Sequence, residues 1–367
     1  MEVPTRCTRC ILPDSLPGVN LDAQGVCNYC RAYDTQFKYT PYKSLEKLNE
    51  DFDHLISKYR GRGRYDALVP VSGGKDSMFI LYCATRLFGL NILAYNLDNG
   101  FQSSNASKNI QNAVKSLGID LIVYKPQEDV LKKLYRTFLK QAGEFCTPCN
   151  ILIGAAAYRF AQQNDIKLVL AGGSSKVFAS IEGMSASKYA DRRYYLRVVD
   201  GQIDQKKIEP LVIESPWKLT IKRLFGKSPR YLDVLDYFYP GEVQMRHTLE
   251  REIGWKQTSE ELEHGDCYLN PLKDYLYNRR WGYSEITQAY SSRIRTGEIP
   301  RDQALHLAEN EEVRTPPPIL DTFLYYVDMT REEFNQTVTR HFSKYPNYQQ
   351  STLYRIGKTL LHFIGNY

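Results

Sequence analysis

Residues 72–77 read Ser-Gly-Gly-Lys-Asp-Ser: two hydroxyls, two glycines, a lysine and a carboxylate in consecutive positions. The stretch follows an apolar run, ALVPV at 67–71, and precedes a helical pattern, so backbone N–H groups and hydroxyls converge on an anion while Lys75 adds charge. Gly73 and Gly74 let the backbone approach a phosphate closely. A Walker A loop requires Gly-x-x-x-x-Gly-Lys-Ser/Thr. With Gly74-Lys75 taken as its Gly-Lys, Val69 and Asp76 stand where the first glycine and the hydroxyl belong, so this is a phosphate loop of another kind. An ordinary glycine turn does not ask for two serines, a lysine and an aspartate together.

The chain has eight cysteines. Cys7-x2-Cys10 and Cys27-x2-Cys30 have the spacing of a four-thiolate zinc site, against the alternatives of unliganded thiols and an iron–sulfur or redox role. Cys146 and Cys149, in CTPC, have three readings: a metal site, a redox pair, or two small residues at a helix start. Cys267, in EHGDC, is either a third ligand, with His264 or Asp266 beside it, or an ordinary cysteine. Cys83 falls on an apolar helix face and reads as core.

These residues need elements to position them. ALVPV (67–71), NILAYNLD (91–98), IDLIVYK (119–125) and KLVLAGG (167–173) read as strands separated by helical patterns. Such alternation predicts an α/β fold, a doubly wound and mostly parallel sheet covered by helices on both faces. Ligands of such sheets sit at the C-terminal strand ends, where Ser72–Ser77, Asp98, Gly172 and Gly173 fall. Pro70 is out of place, since it removes an N–H at the end of a central strand. Upstream, the Cys-rich residues 1–35 have no periodic apolar face and need a staple, and KSLEKLNEDFDHLISKY is an amphipathic linking helix. Downstream, YYLRVVDGQIDQKKIEP predicts a hairpin around Asp200-Gly201, and from Ile221 onward the chain reads as mostly helical. The tail LYRIGKTLLHFIGNY is amphipathic.

At 367 residues with 43% hydrophobic and 25% charged residues, the composition is that of a globular protein, and it excludes disordered and fibrous classes. The net charge of +6 is dispersed and suggests phosphate-bearing ligands rather than a nucleic-acid surface. The N-terminus lacks the apolar core of a signal peptide, and no run approaches the roughly 18 apolar residues of a membrane span, so a cytoplasmic protein is expected.

SGGKDS resembles the signature of the PP-loop ATP pyrophosphatases, which cleave ATP between the α- and β-phosphates and adenylate a carbonyl oxygen. That resemblance implies that Ser72, Gly73, Gly74, Lys75, Asp76 and Ser77 hold the leaving pyrophosphate, with Lys75, Asp76 and Ser77 as the catalytic set. It places Asp98 at the adenosine, makes Gly172 and Gly173 of AGGSSK the second glycine loop of the ATP pocket, and implies Mg²⁺. CTRCILPDSLPGVNLDAQGVCNYCR, CTPCN, HGDC and SSRIRTGEIPRDQAL are similar to segments of the N-acetyl sugar amidotransferase family of lipopolysaccharide and surface-sugar biosynthesis. The implied reaction turns an acetamido group of a nucleotide-linked sugar into an acetamidino group, with ammonia supplied by glutaminase and cyclase-like subunits. Arg293, Arg295 and Arg301 become candidates for the sugar's diphosphate or carboxylate, although 291–305 alone reads as a solvated helix–turn–helix. The other branch that fits is the tRNA thiolases, with an iron–sulfur cluster at Cys146, Cys149 and Cys267; the C-terminal stretch favours the sugar branch, and tRNA is not expected as a partner. The expected division is a zinc-binding module (1–40), a linking helix (41–64), the PP-loop domain (65–190), and a hairpin plus helical substrate or partner region (191–367).

Overall fold

The computed structural model describes residues 5–16, 18–35, 45–172, 192–208, 211–212, 214–257, 265–339 and 356. Gly173, the rest of AGGSSK, His264, the boundary at 190 and the tail LYRIGKTLLHFIGNY apart from residue 356 lie outside them.

The chain opens with α1 (Asn28–Tyr33) and α2 (Leu45–Ser57), followed by β1 (Ala67–Pro70), α3 (Lys75–Tyr82, continued by a wider turn over Cys83–Leu87) and β2 (Ile92–Leu97). Then come α4 (Ser104–Leu117), β3 (Asp120–Tyr124), α5 (Glu128–Ala142), α6 (Thr147–Gln163) and β4 (Leu168–Ala171). The later part holds α7 (Arg192–Val199), α8 (Gln205–Ile208), α9 (Pro216–Leu224), β5 (Arg230–Asp233) and α10 (Glu242–Ile253). It closes with α11 (Asn270–Trp281), α12 (Glu285–Thr296), α13 (Arg301–Glu311), α14 (Ile319–Tyr326) and α15 (Arg331–Thr339).

The five strands form one parallel sheet in the order β3-β2-β1-β4-β5. Alternation along the strands splits the core in two, as a sheet covered on both faces requires. Ala67, Val69, Ile92, Ala94, Leu168 and Leu170 face a cluster with Phe79, Met245 and Leu249, whereas Leu68, Leu93, Tyr95 and Val169 face Ala156, Ala157 and Ala161 of α6. The small residues of α6 bring that helix close to the sheet. The chain reverses direction across the sheet between β1 and β4, which makes the cleft beyond their C-terminal ends the ligand position of this architecture.

One expectation is corrected. Residues 192–199 form helix α7, not a hairpin strand, because Tyr194, Tyr195, Val198 and Val199 recur at helical spacing and bury together against Phe138 of α5. The stretch after Ile221 is mostly helical, as expected, and holds one strand as well. Arg230–Asp233 alternates buried and exposed residues and pairs in parallel with Leu168–Ala171 as the fifth strand.

The four-cysteine segment packs on the helical C-terminal region. Leu12, Leu16 and Val19 share a cluster with Tyr277 and Tyr283, and Ile11 joins Ile286, Tyr290, Ile299 and Ala304 between α12 and α13. Among the described residues no helix is long and apolar enough to cross a membrane.

Candidate functional site

The phosphate loop is built by short local bonds at the β1–α3 junction. Ser72 N–H donates to Ser77 Oγ (3.1 Å), Ser77 Oγ donates to the Gly74 carbonyl (3.1 Å), and Gly74 N–H donates to Ser72 Oγ (3.3 Å). Gly73 has φ +84°, and a Cβ there would stand 2.3 Å from the Ala106 carbonyl oxygen at the start of α4. Only glycine satisfies both conditions. The Gly73 carbonyl accepts from Asn109 Nδ2 (3.1 Å) and Trp255 Nε1 (3.0 Å), which pins the loop from α4 and from the segment just after α10. Gly172, at the end of β4, lies against the loop helix: a Cβ there would touch Ile80 at 3.2 Å and Asp76 at 3.9 Å.

Lys75 Nζ is 2.7 Å from Glu242 Oε1 and 3.1 Å from Asp76 Oδ1. Burial acts to lower the lysine's pKa, but Asp76 and Glu242 outweigh it, and the net direction is upward. Glu242 gathers two more cations on its other oxygen, Arg246 at 3.4 Å and Arg293 at 3.8 Å. Burial alone would raise the Glu242 carboxyl; Lys75, Arg293 and Arg246 hold it below its ordinary value. Of the three expected arginines, Arg293 therefore stands next to the loop. Arg295 is buried in the last turn of α12, with Nε and Nη1 lacking hydrogen-bond partners. Arg301 lies elsewhere: its Nε and Nη2 donate to the carbonyls of Cys10 (3.0 Å) and Cys7 (3.1 Å). Asp98 accepts from Gly100 N–H (3.0 Å) and pairs with Lys125 (2.9 Å).

Beyond the loop opens a cavity of about 460 Å³. Ser72 and Ser77 stand at one end, Asn96 and Asn99 come from the end of β2, and Cys146 and Cys149 come from the start of α6. A further wall is C-terminal: Asp266, which also stands against Gly74 of the loop, with Cys267, Asn270, Lys273 and Glu285. A short antiparallel contact brings that wall in, since Ser103 N–H donates to the Asp266 carbonyl (2.9 Å) and Tyr268 N–H to the Phe101 carbonyl (2.8 Å). Lys273 is largely buried and 2.6 Å from Glu285. Burial acts against its charge, but Glu285, Asp274 and Cys146 hold its pKa well up, so it stays an ammonium. The Tyr95 hydroxyl is buried here without a hydrogen-bond partner.

Cys146, Cys149 and Cys267 thus meet at one cavity. Asn99 Nδ2 lies 3.6 Å from the Cys149 sulfur and 3.8 Å from that of Cys267, and the Tyr135 hydroxyl is 2.8 Å from Cys149. Burial pushes the Cys149 thiol up to about 11 and raises the other two, so all three are protonated. Among the described residues they do not gather into a group with mutually close ligand atoms.

Cys7, Cys10, Cys27 and Cys30 do. Their sulfurs lie within 4.8 Å of one another and all four residues are fully buried. Four sulfurs at about 2.3 Å from a tetrahedral ion are spaced by about 3.8 Å, and Cys10 and Cys27 are 3.7 Å apart. Backbone N–H groups of Cys10, Leu12, Cys27 and Cys30 point at the sulfurs, as thiolates require. Hydrogen bonds within the cluster hold Cys7 far below the usual thiol range and Cys10 at about 7, while they push Cys27 and Cys30 up. Without a cation the four cannot all ionise, so the site fits a metal ion.

The loop was legible as SGGKDS. Glu242 and Arg246 were not: they lie in EVQMRHTLEREI, whose charges read as a solvated helix face, and nothing in the spacing ties them to Lys75. Lys273 and Glu285 carried no signal either.

Residues 254–361 match the family described as LPS biosynthesis protein WbpG-like, C-terminal domain. HGDC and SSRIRTGEIPRDQAL both fall inside that match, as does the C-terminal wall of the cavity. Over 155 residues the chain is 25% identical to an uncharacterized protein of Methanocaldococcus jannaschii, covering 42% of this chain and 53% of the relative. The chain thus spans about half the length of the curated relative it matches. Among solved structures it is similar to the U34-tRNA thiolase NcsA from Methanococcus maripaludis with its 4Fe–4S cluster, at 14% identity and TM-score 0.36, covering 86% of this chain and 97% of that one. It is also similar to the NH3-dependent NAD synthetase from Campylobacter jejuni, at 11% identity and TM-score 0.32, covering 58% and 94% of the two chains. NMN synthetase from Francisella tularensis gives 13% identity and TM-score 0.29 over 75% and 99%.

Proposed function

We propose an ATP-dependent amidotransferase of surface-sugar biosynthesis, from a chain whose residues 254–361 match the C-terminal domain of WbpG-like lipopolysaccharide biosynthesis proteins. The observation that carries this reading is the cavity, which is lined both by Ser72 and Ser77 of the phosphate loop and by Asp266 to Glu285, residues inside the match to the lipopolysaccharide-biosynthesis domain. The loop positions ATP so that the acetamido oxygen of a nucleotide-linked sugar attacks the α-phosphorus. The α–β bond breaks, pyrophosphate leaves into the Ser72–Ser77 cradle, and the amide carbon now carries AMP as its leaving group. Ammonia adds to that carbon, loses a proton and expels AMP, which takes the original oxygen with it and leaves an acetamidino group.

Lys75 and the loop N–H groups neutralise the departing pyrophosphate, and fixed charges of this kind act strongly in a partly buried site. Mg²⁺, the usual counter-ion of ATP phosphates, would be held by Asp76, the carboxylate on the loop helix. Zinc is the metal we assign to Cys7, Cys10, Cys27 and Cys30, in a structural role. The chain carries no glutaminase signature, so glutaminase and cyclase-like partners supply the ammonia in this reading. A purified chain that used glutamine unaided would contradict that dependence.

The test supplies ATP, Mg²⁺ and ammonium with a panel of nucleotide-linked acetamido sugars and seeks, by mass spectrometry, the replacement of O by NH. AMP and pyrophosphate must appear in step with the product. A second reading, PP-loop sulfur transfer, is favoured by one observation, the meeting of Cys146, Cys149 and Cys267 at the cavity. Stoichiometric iron and acid-labile sulfide after anaerobic purification support it; zinc alone supports amidination.

A further inference from the structure

Arg246, in the second turn of α10, lines a second and smaller chamber of about 90 Å³ together with Ser72, Lys75, Asp76 and Gln257; Ser72, Ser77 and Asp266 border both this chamber and the large cavity. Its Nη1 donates to Gln257 Oε1 (2.9 Å) and its Nη2 lies 3.4 Å from Glu242, while its buried Nε has no hydrogen-bond partner. One carboxylate, Glu242, thus stands among three cations, Lys75, Arg246 and Arg293. A single carboxylate ordinarily needs one such partner. A group with several anionic oxygens suits the set better, and guanidinium forks match phosphate oxygens in particular.

We infer that Glu242 is an internal stand-in for pyrophosphate: it holds Lys75 and Arg246 in place in the empty site and yields them to the phosphates, with Arg246 contacting the leaving pyrophosphate directly. The inference rests on the reading of Ser72–Ser77 as a pyrophosphate cradle and adds to it two residues far along the chain. Lys75 has a partner in each state, Glu242 before and phosphate after, so its ammonium is never left buried and unpaired.

The test is calorimetric titration of the full chain with inorganic pyrophosphate in the presence of Mg²⁺. Arg246→Met is expected to weaken binding about tenfold or more, the usual loss of a charge-assisted phosphate contact. Glu242→Gln, which removes the competitor, is expected to strengthen binding, and its lowered melting temperature should be restored by pyrophosphate. Arg251→Ala, an exposed arginine of the same helix, should leave binding unchanged. A change below threefold in Arg246→Met, or weaker binding in a folded Glu242→Gln, overturns the proposal while leaving the cradle intact. Absence of binding to the wild-type chain would instead remove the cradle reading on which both rest.

Discussion

Gly73 has the least freedom of any residue in the loop. Its positive φ and the 2.3 Å approach to the Ala106 carbonyl exclude a side chain twice over. Gly73→Ala is expected to cost at least ~1–3 kcal/mol from the backbone conformation alone and to abolish pyrophosphate binding; a variant with wild-type melting temperature and binding would contradict the loop geometry. Lys75 and Glu242 set a pH dependence of stability. The Glu242 carboxyl is depressed, so its contribution is present above the ordinary value of 4.5 and is lost as pH falls through the depressed one. Lys75 is raised, so its contribution is complete below 10.5 and is lost as pH rises through the higher value. The stability gap between wild type and Glu242→Gln should therefore be widest at neutral pH and close in acid. Equal melting-temperature differences on both sides of 4.5 would show that the carboxylate's charge is not what stabilises it.

At the scale of elements, two places show what local sequence conveys and what it leaves out. Asp200-Gly201 is a sound turn signal, and it does end an element, but the spacing of Tyr194, Tyr195, Val198 and Val199 makes that element a helix. Pro70 puzzles only when β1 is read alone. Val71 N–H donates to Tyr95 of β2, so the missing N–H of Pro70 faces β4, and β1 pairs with β4 further back, through Leu68 opposite Val169. The proline marks where β1 and β4 part at the mouth of the cleft. The stretch SSRIRTGEIPR divides its arginines: Arg293 goes to the loop's charge network, and Arg301 ties α13 to the first pair of cysteines. Neighbouring arginines in one sequence segment gave no means of telling these fates apart. Arg301→Ala should lower metal affinity of the four-cysteine site by about tenfold, the usual loss when an outer partner of a metal ligand is removed, without changing pyrophosphate binding. Competition with a chromophoric chelator measures the first, and unchanged metal retention would refute the assignment.

Over the whole molecule, one sheet and one helical region share a single site. The parallel sheet, its two-sided helices and the loop were legible from alternation and from SGGKDS, because both are short-range patterns. The cavity was not, because Cys267 and Lys273 reach Asn99 and Cys149 through long-range contacts, among them the pairing of residues 101–103 with 266–268. The four-cysteine segment packs on α12 and α13, so the cluster that fits a metal ion rests on the same C-terminal region that closes the site. The central claim is that ATP activates an acetamido oxygen held in this cavity. The direct measurement uses a nucleotide-linked acetamido sugar carrying heavy oxygen in its amide, with ATP, Mg²⁺ and ammonium, and follows the label by mass spectrometry. The label is expected in the phosphate of AMP, one atom per acetamidino group formed; label in water, or ADP and phosphate as the nucleotide products, would contradict the account.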